Sequence, residues 1–339
     1  MKALFIGGTG TISAAISRRV LELGWELWHI NRGNRSGESW NVPNRKNFHQ
    51  ITCDISNEKD AAEKLAGLEF DVTADFIAFT PDQVERDFRL FKRKTQQYIF
   101  ISSASAYQKP LSSYRITEST PLSNPLWDYS RQKIACEEFL IKAYREEGFP
   151  ITIVRPSHTY DKTSIPMALH GDKGGWPVIK RMISGKKVII HGDGTTLWTL
   201  THSRDFAVGF AGLMGNVHAV GEAVQITSDE SLTWNAIHEI WADVLGVPLN
   251  AVHVPSDALA RMGEPFGYDF SGALLGDKAH SVVFDNAKIK RLVPEYNATT
   301  RFDQGAREIA GWFLSHPELQ AGDEKFDEFT ERVITKYDV

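Results

Sequence analysis

The stretch ALFIGGTGTIS, residues 3–13, places a short apolar run directly before a glycine-rich turn and the start of a helical pattern. Its spacing is Gly7, Gly10 and then Ser13, where a third glycine would be expected. Glycine permits a tight turn, and a helix N-terminus offers free N–H groups to a pyrophosphate. A plain glycine turn is the alternative, but the position between a first strand and a helix favours a dinucleotide-binding unit.

Strand-like and helical patterns alternate through the first 155 residues. The predicted strands are 3–7, 26–30, 48–53, 73–79, 97–102 and 151–155, and the predicted helices are 12–23, 57–66, 81–93 and 129–147. This alternation implies crossover connections, and therefore a parallel sheet with both faces covered. We predict an α/β fold with a Rossmann-type, doubly wound parallel sheet over residues 1–160.

The pattern becomes looser after residue 160. Predicted helices lie at 203–214, 233–245, 285–292, 303–315 and 324–336, with short strands near 222–226 and 250–254. We therefore expect residues 161–339 to form mainly a smaller, mixed α/β substrate-binding lobe. Segments near 203–227 are expected to return to the first domain.

The composition is ordinary for a soluble globular protein, and a cytoplasmic protein is the default expectation. A net charge of −5 without a basic run argues against a nucleic-acid partner. Cys53 and Cys136 do not have metal-ligand spacing, so we expect two reduced thiols and no metal. The opening MKALFIGG shows no targeting pattern, and no apolar run approaches 18 residues, so we expect no membrane association.

The end of the second strand bears on the choice of dinucleotide. An acidic residue normally binds the ribose 2′-hydroxyl there, but this chain has Asn31 and Arg32, with Arg35 nearby. Without the carboxylate, an arginine can bind a 2′-phosphate, which favours NADP over NAD. Alternatively, both arginines are solvated loop residues. Asp54 could accept from the adenine amino group or cap the following helix.

Tyr129 and Lys133 lie four positions apart in a predicted helix, so they share one face. The spacing is common by itself, but the preceding predicted strand ends in Ser102 and Ser103 at the edge where parallel sheets bind ligands. A lysine and an oxidised nicotinamide would both favour the tyrosine phenolate, as proton transfer at a hydroxyl or carbonyl requires.

These motifs resemble the extended short-chain dehydrogenase/reductases, the NAD-dependent epimerase/dehydratase family. The matching segments are GGTGTIS (7–13), CDIS (53–56), ISSASAY (101–107), YSRQK (129–133), RPSHTYD (155–161), GDGTTLWTLTHSRDFA (192–207) and DNAKIKRLVPEY (285–296). The resemblance implies that Ser103 orients the substrate, Tyr129 is the acid/base and Lys133 its electrostatic partner. The implied cofactor-binding set is Gly7, Gly10, Thr11, Ile12, Asn31, Arg32, Arg35, Asp54, Ile55, Ala78, Lys133, Pro156 and His158.

The chain departs from the family pattern on the substrate side. Ala104 and Ser105 replace the Asp-Glu pair of the 4,6-dehydratases, and His158 replaces an asparagine. Trp198 stands where nucleotide-sugar enzymes have a diphosphate-binding arginine, which argues against a nucleotide-linked sugar. The predicted substrate-binding set is Ser103, Ala104, His158, Trp176, Trp198 and Arg204. Core packing is the alternative for both tryptophans, and a supporting structural role is the alternative for His158.

We therefore predict an NAD(P)-dependent oxidoreductase or epimerase that acts on a secondary alcohol or ketone of a sugar-like small molecule. The alternative is a non-catalytic dinucleotide sensor or RNA-binding protein on the same fold, since atypical members of the superfamily include chloroplast RNA-binding proteins. The family often dimerises through two helices, which here correspond to 81–93 and the Tyr129 helix, so a homodimer is also expected.

Overall fold

The computed structural model describes residues 1–33 and 45–338. Its strands are β1 (Lys2–Ile6), β2 (Glu26–Asn31), β3 (Phe48–Thr52), β4 (Val72–Asp75), β5 (Tyr98–Ile101), β6 (Arg115–Ile116), β7 (Ile151–Pro156), β8 (His158–Tyr160), β9 (Val188–His191), β10 (Leu197–Trp198), β11 (Leu200–His202), β12 (Ala223–Ile226), β13 (Leu232–Thr233), β14 (Ala251–Val254) and β15 (Val283–Phe284). Its helices are α1 (Thr11–Glu22), α2 (Glu58–Lys64), α3 (Pro81–Phe91), α4 (Asp128–Glu147), α5 (Trp176–Ile183), α6 (Ser203–Leu213), α7 (Trp234–Leu245), α8 (Ser256–Gly263), α9 (Ala287–Leu292), α10 (Phe302–Ser315) and α11 (Glu324–Tyr337).

Seven parallel strands form the central sheet in the order β12-β7-β5-β4-β1-β2-β3. Helices α1, α6 and α9 pack on one face, and α2, α3 and α4 on the other. Each face has its own apolar core, as expected for a doubly wound sheet. The predicted Rossmann-type fold class is confirmed.

A third apolar core lies among the later elements. It contains Trp176, Trp198, Trp234 and Trp241 and is built largely from α5, α7, α8, α10 and α11. Four small two-stranded sheets accompany it, pairing β10 with β13, β11 with β8, β14 with β9 and β15 with β6. Strand β12 nevertheless pairs with β7, so a late segment of the chain completes one edge of the central sheet.

Strand β4 is shorter than the predicted strand over 73–79. It ends at Asp75, whose carboxylate accepts hydrogen bonds from the backbone N–H groups of Ile77 and Ala78, at 2.7 and 3.0 Å. These two bonds turn the chain away from the sheet directly after the strand. Residues 76–79 therefore lie at the carboxyl edge of the sheet, beside the glycine loop.

Helix α4 spans 20 residues and ends at Gly148, which adopts the left-handed conformation that favours glycine. The fully or nearly buried side chains of Lys133, Cys136, Glu137 and Leu140 face the sheet. This long helix fixes Tyr129 and Lys133 relative to the carboxyl end of β5. Within the described ranges, no helix combines the length and apolarity needed to cross a membrane.

Candidate active site

The glycine loop between β1 and α1 is closed by hydrogen bonds from Ser13. The Ser13 hydroxyl donates to the Gly7 carbonyl oxygen at 2.9 Å and accepts from the Gly10 N–H at 2.8 Å. Gly7 has φ +80°, and a Cβ at this position would lie 2.3 Å from Ile77 Cγ2. The serine in place of a third glycine therefore joins the two ends of the loop while Gly7 makes the turn.

The first cavity lies against this loop and has a volume of about 630 Å³, within the usual range for ligand pockets. It is lined by Gly7, Thr9, Gly10, Thr11, Ile12, Ser13, Ile30, Asn31, Arg32, Gly33, Cys53, Asp54, Ile55, Ser56, Phe76, Ile77, Phe79, Gln83, Arg86 and Ile101. The first backbone hydrogen bond at the start of α1 is donated by the Ala14 N–H to the Gly10 carbonyl oxygen. The N–H groups of Thr11 and Ile12 come before this bond in the chain, in the turn where helix N–H groups have no partner within the helix. The N-terminal end of α1 is therefore suited to hold a pyrophosphate, and the cavity fits a dinucleotide.

One end of the first cavity lies beside Asn31, Arg32 and Asp54. The Asn31 side-chain oxygen accepts from Gly33 N–H at 2.9 Å, whereas the Arg32 side chain is exposed. Hydrogen bonds from the Ser56 hydroxyl and N–H lower the pKa of Asp54, and the charge of Arg32 lowers it further. Asn57 rather than Asp54 caps α2. Arg35 lies outside the described residues.

Lys133 is held by backbone groups at the carboxyl edge of the sheet. Its ammonium donates to the carbonyl oxygens of Ala78 and Ile101, both at 2.7 Å, and lies 4.5 Å from the Phe79 ring centroid. Burial lowers the pKa of Lys133 to about 8, and Asp75 acts in the opposite direction. Ala78, predicted to bind the cofactor, does not line the first cavity, and its carbonyl oxygen binds Lys133.

Tyr129 lies beside Ser103, with its ring centroid 6.0 Å from the Lys133 ammonium. Burial raises the pKa of Tyr129, the Ser103 hydroxyl lowers it, and the charge of Asp277 raises it. The net direction is upward, so the protein side chains alone do not produce the lowered pKa expected from the sequence. Burial outweighs the hydrogen bond because it disfavours the charged phenolate.

Ser102 and Ser103 have different surroundings although they are adjacent. The Ser102 hydroxyl donates to Glu137 and is almost fully buried. The Ser103 hydroxyl lies 2.9 Å from that of Ser105, accepts from the Ser105 N–H at 3.2 Å and lines a second cavity. Ser103 is therefore the member of the pair that can contact a substrate.

The second cavity has a volume of about 300 Å³ and is lined in part by Tyr129 and Ser103. Its lining consists of Ser103, Ala104, Ser105, Trp127, Tyr129, Pro156, Ser157, His158, His170, Trp198, Asp277, Lys278, Val282 and Phe284. The Trp198 indole N–H donates to Nδ1 of His158 at 3.3 Å, and burial lowers the pKa of His158 to about 3. His158 is therefore neutral near neutral pH and is oriented by Trp198.

Two residues of the predicted substrate set lie elsewhere. The Trp176 ring is buried and stacks on Phe313, with centroids 5.6 Å apart. Arg204 is exposed and pairs with Glu308 at 2.8 Å. Neither side chain lines the second cavity, so the structure does not support these two assignments. Trp176 is packed in the apolar core, which was the alternative interpretation for this residue. The partner of Arg204, Glu308, lies on helix α10.

Several cavity residues lay outside the sequence prediction. In the first cavity, Phe79 and Arg86 come from the segments around α3. In the second cavity, Trp127, Asp277 and Lys278 are added to the predicted residues. Trp127 directly precedes the Tyr129 helix, which was a usable signal. Asp277 and Lys278 carried no recognisable motif because their position depends on packing between distant segments.

The parallel sheet and the glycine loop define a Rossmann-type fold, with Ser103, Tyr129 and Lys133 near the carboxyl edge of its sheet. Residues 88–227 match the NAD dependent epimerase/dehydratase family. This match confirms the resemblance inferred from the motifs.

Individual relatives share part of the chain. A 2'-dehydrokanamycin reductase of Streptomyces kanamyceticus is 27% identical over 198 residues, which are 58% of this chain and 54% of the relative. The chloroplast stem-loop binding protein of 41 kDa b of Arabidopsis thaliana is 24% identical over 258 residues, 73% of this chain and 64% of the relative. Both matches span less than two thirds of the relative's length.

Solved structures show the same fold over nearly the whole chain. The UDP-glucuronic acid 4-epimerase of Bacillus cereus, in complex with UDP-glucuronic acid and NAD, is similar with a TM-score of 0.72. The two share 20% sequence identity, and the likeness covers 93% of this chain and 99% of that chain. At this identity the comparison concerns the fold.

Proposed function

We propose that the chain is an NAD(P)-dependent oxidoreductase or epimerase acting on a secondary alcohol or ketone of a sugar-like small molecule. The observation that carries this proposal is the position of Tyr129. It lines the second cavity beside Ser103, while Lys133 on the same helix is bound at the edge of the sheet next to the first cavity. Tyr129 and Ser103 therefore line the smaller cavity, and Lys133 contacts Phe79 and Ile101, which line the larger one.

The proposed chemistry is proton transfer at a substrate hydroxyl or carbonyl. The nicotinamide supplies the hydride acceptor or donor at C4. In oxidation Tyr129 accepts the hydroxyl proton, and in reduction it returns that proton to the carbonyl oxygen. Ser103 holds the reacting oxygen, and the positive charge of Lys133 favours the phenolate. Retention of the ketone until hydride returns gives epimerisation, whereas its release gives net oxidation.

Water elimination of the 4,6-dehydratase kind is disfavoured by the groups beside Ser103. Ala104 offers no proton-transfer group, and the Ser105 hydroxyl accepts from Ser130 at 2.7 Å. A neutral hydroxyl in this bonded position is a poor acid or base at neutral pH. The second cavity therefore suits redox chemistry at one carbon better than elimination across two.

Dinucleotide binding and hydride exchange test the proposed function together. Calorimetry should show binding of NADPH or NADH, and isotope-labelled reduced dinucleotide should transfer its label to a member of a sugar ketone panel. Label in the product is expected because the reduced dinucleotide would donate the hydride to the ketone and Tyr129, which lines the second cavity, would donate the proton. Absence of binding for both dinucleotides at millimolar concentration would reject the enzyme proposal.

Arg32 is proposed to favour NADPH. Replacing it with alanine should raise the dissociation constant of NADPH by about tenfold or more, as loss of a charged hydrogen bond predicts. The NADH constant should stay nearly unchanged because that molecule lacks the 2′-phosphate. Calorimetry with both dinucleotides measures the difference, and the exposed Arg93→Ala serves as the matched control. An equal loss for both dinucleotides would remove Arg32 from this role.

A second candidate function is dinucleotide-dependent RNA binding, which the similarity to the chloroplast stem-loop binding protein favours. The net charge of −5 disfavours it, because phosphate neutralisation requires clustered lysines and arginines. Tight RNA binding with a steep salt dependence would support this candidate.

We also propose a homodimer formed through α3 and α4, which pack side by side at the surface.

A further inference from the structure

A π-helical segment, Ser271–Lys278, forms one wall of the second cavity. Such segments often occur at functional sites. The Asn124 side-chain amide donates to the carbonyl oxygens of Ser105 and Gly276, at 2.9 and 2.7 Å. One buried side chain therefore ties this segment to the turn that follows Ser103.

The end of the π-helical segment is also held in place. The Trp234 indole N–H donates to the Lys278 carbonyl oxygen at 3.2 Å, and the Thr196 hydroxyl donates to the same oxygen at 3.4 Å. Gly272 packs against Trp127 so closely that a Cβ there would lie 2.1 Å from the indole Cδ1. The backbone that carries Asp277 and Lys278 is thus fixed over the cavity.

The charges on this wall do not cancel. Asp277 lies 3.7 Å from the ammonium of the buried Lys109, so its negative charge already has a partner. Among the residues that the structure describes, no carboxylate lies within ion-pair distance of the Lys278 ammonium. The contacts of that ammonium are the Ala273 carbonyl oxygen at 3.5 Å and the Trp127 ring at 5.8 Å. Lys278 therefore leaves an excess positive charge at the cavity.

The neighbouring histidines do not offset this charge. Burial lowers the pKa of His158 to about 3, and the charge of Lys278 lowers it further. Burial likewise lowers the pKa of His170 and that of Lys278 itself, and the charge of Asp277 acts on Lys278 in the opposite direction. A partly desolvated ammonium facing neutral rings gains most from an anionic ligand, because the anion restores the interactions that burial removes.

We propose that Lys278 binds an anionic group, a carboxylate or a phosphate, carried by the same sugar unit whose hydroxyl or carbonyl reacts at Tyr129. This inference rests on the proposed function and defines its substrate class. A cavity of about 300 Å³ suits one sugar unit, being at the small end of ligand pockets. Trp127 and Trp198 provide flat walls for the ring, and Trp198 supplies no cation for a nucleoside diphosphate.

Binding of matched monosaccharides to the full chain with saturating dinucleotide tests the inference. The probes are glucose, glucuronate and glucose 6-phosphate, which differ in the charge at carbon 6. At least one anionic probe should bind about tenfold or more tightly than glucose, as a partly buried charged hydrogen bond predicts. The preferred anion distinguishes a carboxylate from a phosphate substrate.

Variants of Lys278 identify the source of the preference. Lys278→Met should abolish the difference between the anionic probes and glucose, whereas Lys278→Arg should largely keep it. Lys180→Met, on an exposed position of α5, is the matched control and should behave as the unmodified protein. Dinucleotide affinity should stay constant in all three variants because Lys278 does not line the first cavity.

Two failures are distinguishable. If dinucleotide binds but neither anionic probe binds better than glucose, or Lys278→Met keeps the preference, this inference is wrong and the proposed function stands. If no dinucleotide binds, the proposed function itself fails, and the inference fails with it.

Discussion

Replacing Tyr129 with phenylalanine should lower turnover by roughly 100- to 10,000-fold, the range that general acid–base groups contribute. The ring contacts should survive, since its neighbours are aromatic: the centroids of Trp127 and Phe79 lie 5.0 and 6.2 Å away. Only the hydroxyl that moves the proton is lost. Turnover with a sugar substrate and dinucleotide affinity by calorimetry are the two measurements, and only turnover should change.

The pH dependence of the unmodified protein gives a second readout for Tyr129. Burial raises the pKa of this phenol, with Ser103 acting in the opposite direction. Since alcohol oxidation requires the phenolate, its rate should rise as pH increases above neutrality, and the residual rate of Tyr129→Phe should lack this rise. Tyr144 lies on the same helix as Tyr129 but lines neither cavity. The control variant Tyr144→Phe should therefore leave turnover unchanged. Equal turnover of the Tyr129 and Tyr144 variants would exclude Tyr129 as the acid/base.

The glycine loop and the Tyr129 helix were predictable because their determinants are local. A strand, a turn with Gly7 and a helix follow one another within 22 residues, and Tyr129 and Lys133 share a face through helical spacing alone. Parallel strands also end at one edge, which brings Ser103 towards Tyr129. For these parts, sequence order and the repeat of regular structure determine the arrangement.

The second cavity depends on information that sequence spacing does not contain. Trp198 and Trp176 look alike as aromatic residues in polar loops, yet one lines the cavity and the other stacks on Phe313. Asp277 meets Lys109 across 168 positions in the chain, through the packing of irregular segments. The pKa of Tyr129 likewise depends on its burial, which is known only from the folded structure.

Glu137 is fully buried on helix α4, one helical turn after Lys133. It therefore contributes to the stability of the fold at a position next to the candidate active site. Its carboxylate accepts from the buried Arg155 guanidinium, with an Nε–Oε1 distance of 2.9 Å, and from the Ser102 hydroxyl. Replacing Glu137 with alanine should lower the free energy of unfolding by about 3–5 kcal/mol, because it leaves a buried guanidinium without its counter-charge. Guanidinium chloride unfolding followed by circular dichroism measures the change.

The adjacent Glu138 provides the matched control, since it is exposed on the same helix. Glu138→Ala should change the free energy of unfolding by about 0.5 kcal/mol or less. Combining Glu137→Ala with Arg155→Met should cost less than the sum of the two single changes, because the second removes the unpaired charge left by the first. The ion pair would not support the end of β5 if the losses in free energy of unfolding were additive. The same conclusion would follow if the Glu137→Ala protein were as stable as the Glu138→Ala protein. If the pair does so, Glu137→Ala should also weaken turnover through Ser102, which directly precedes the substrate-facing Ser103.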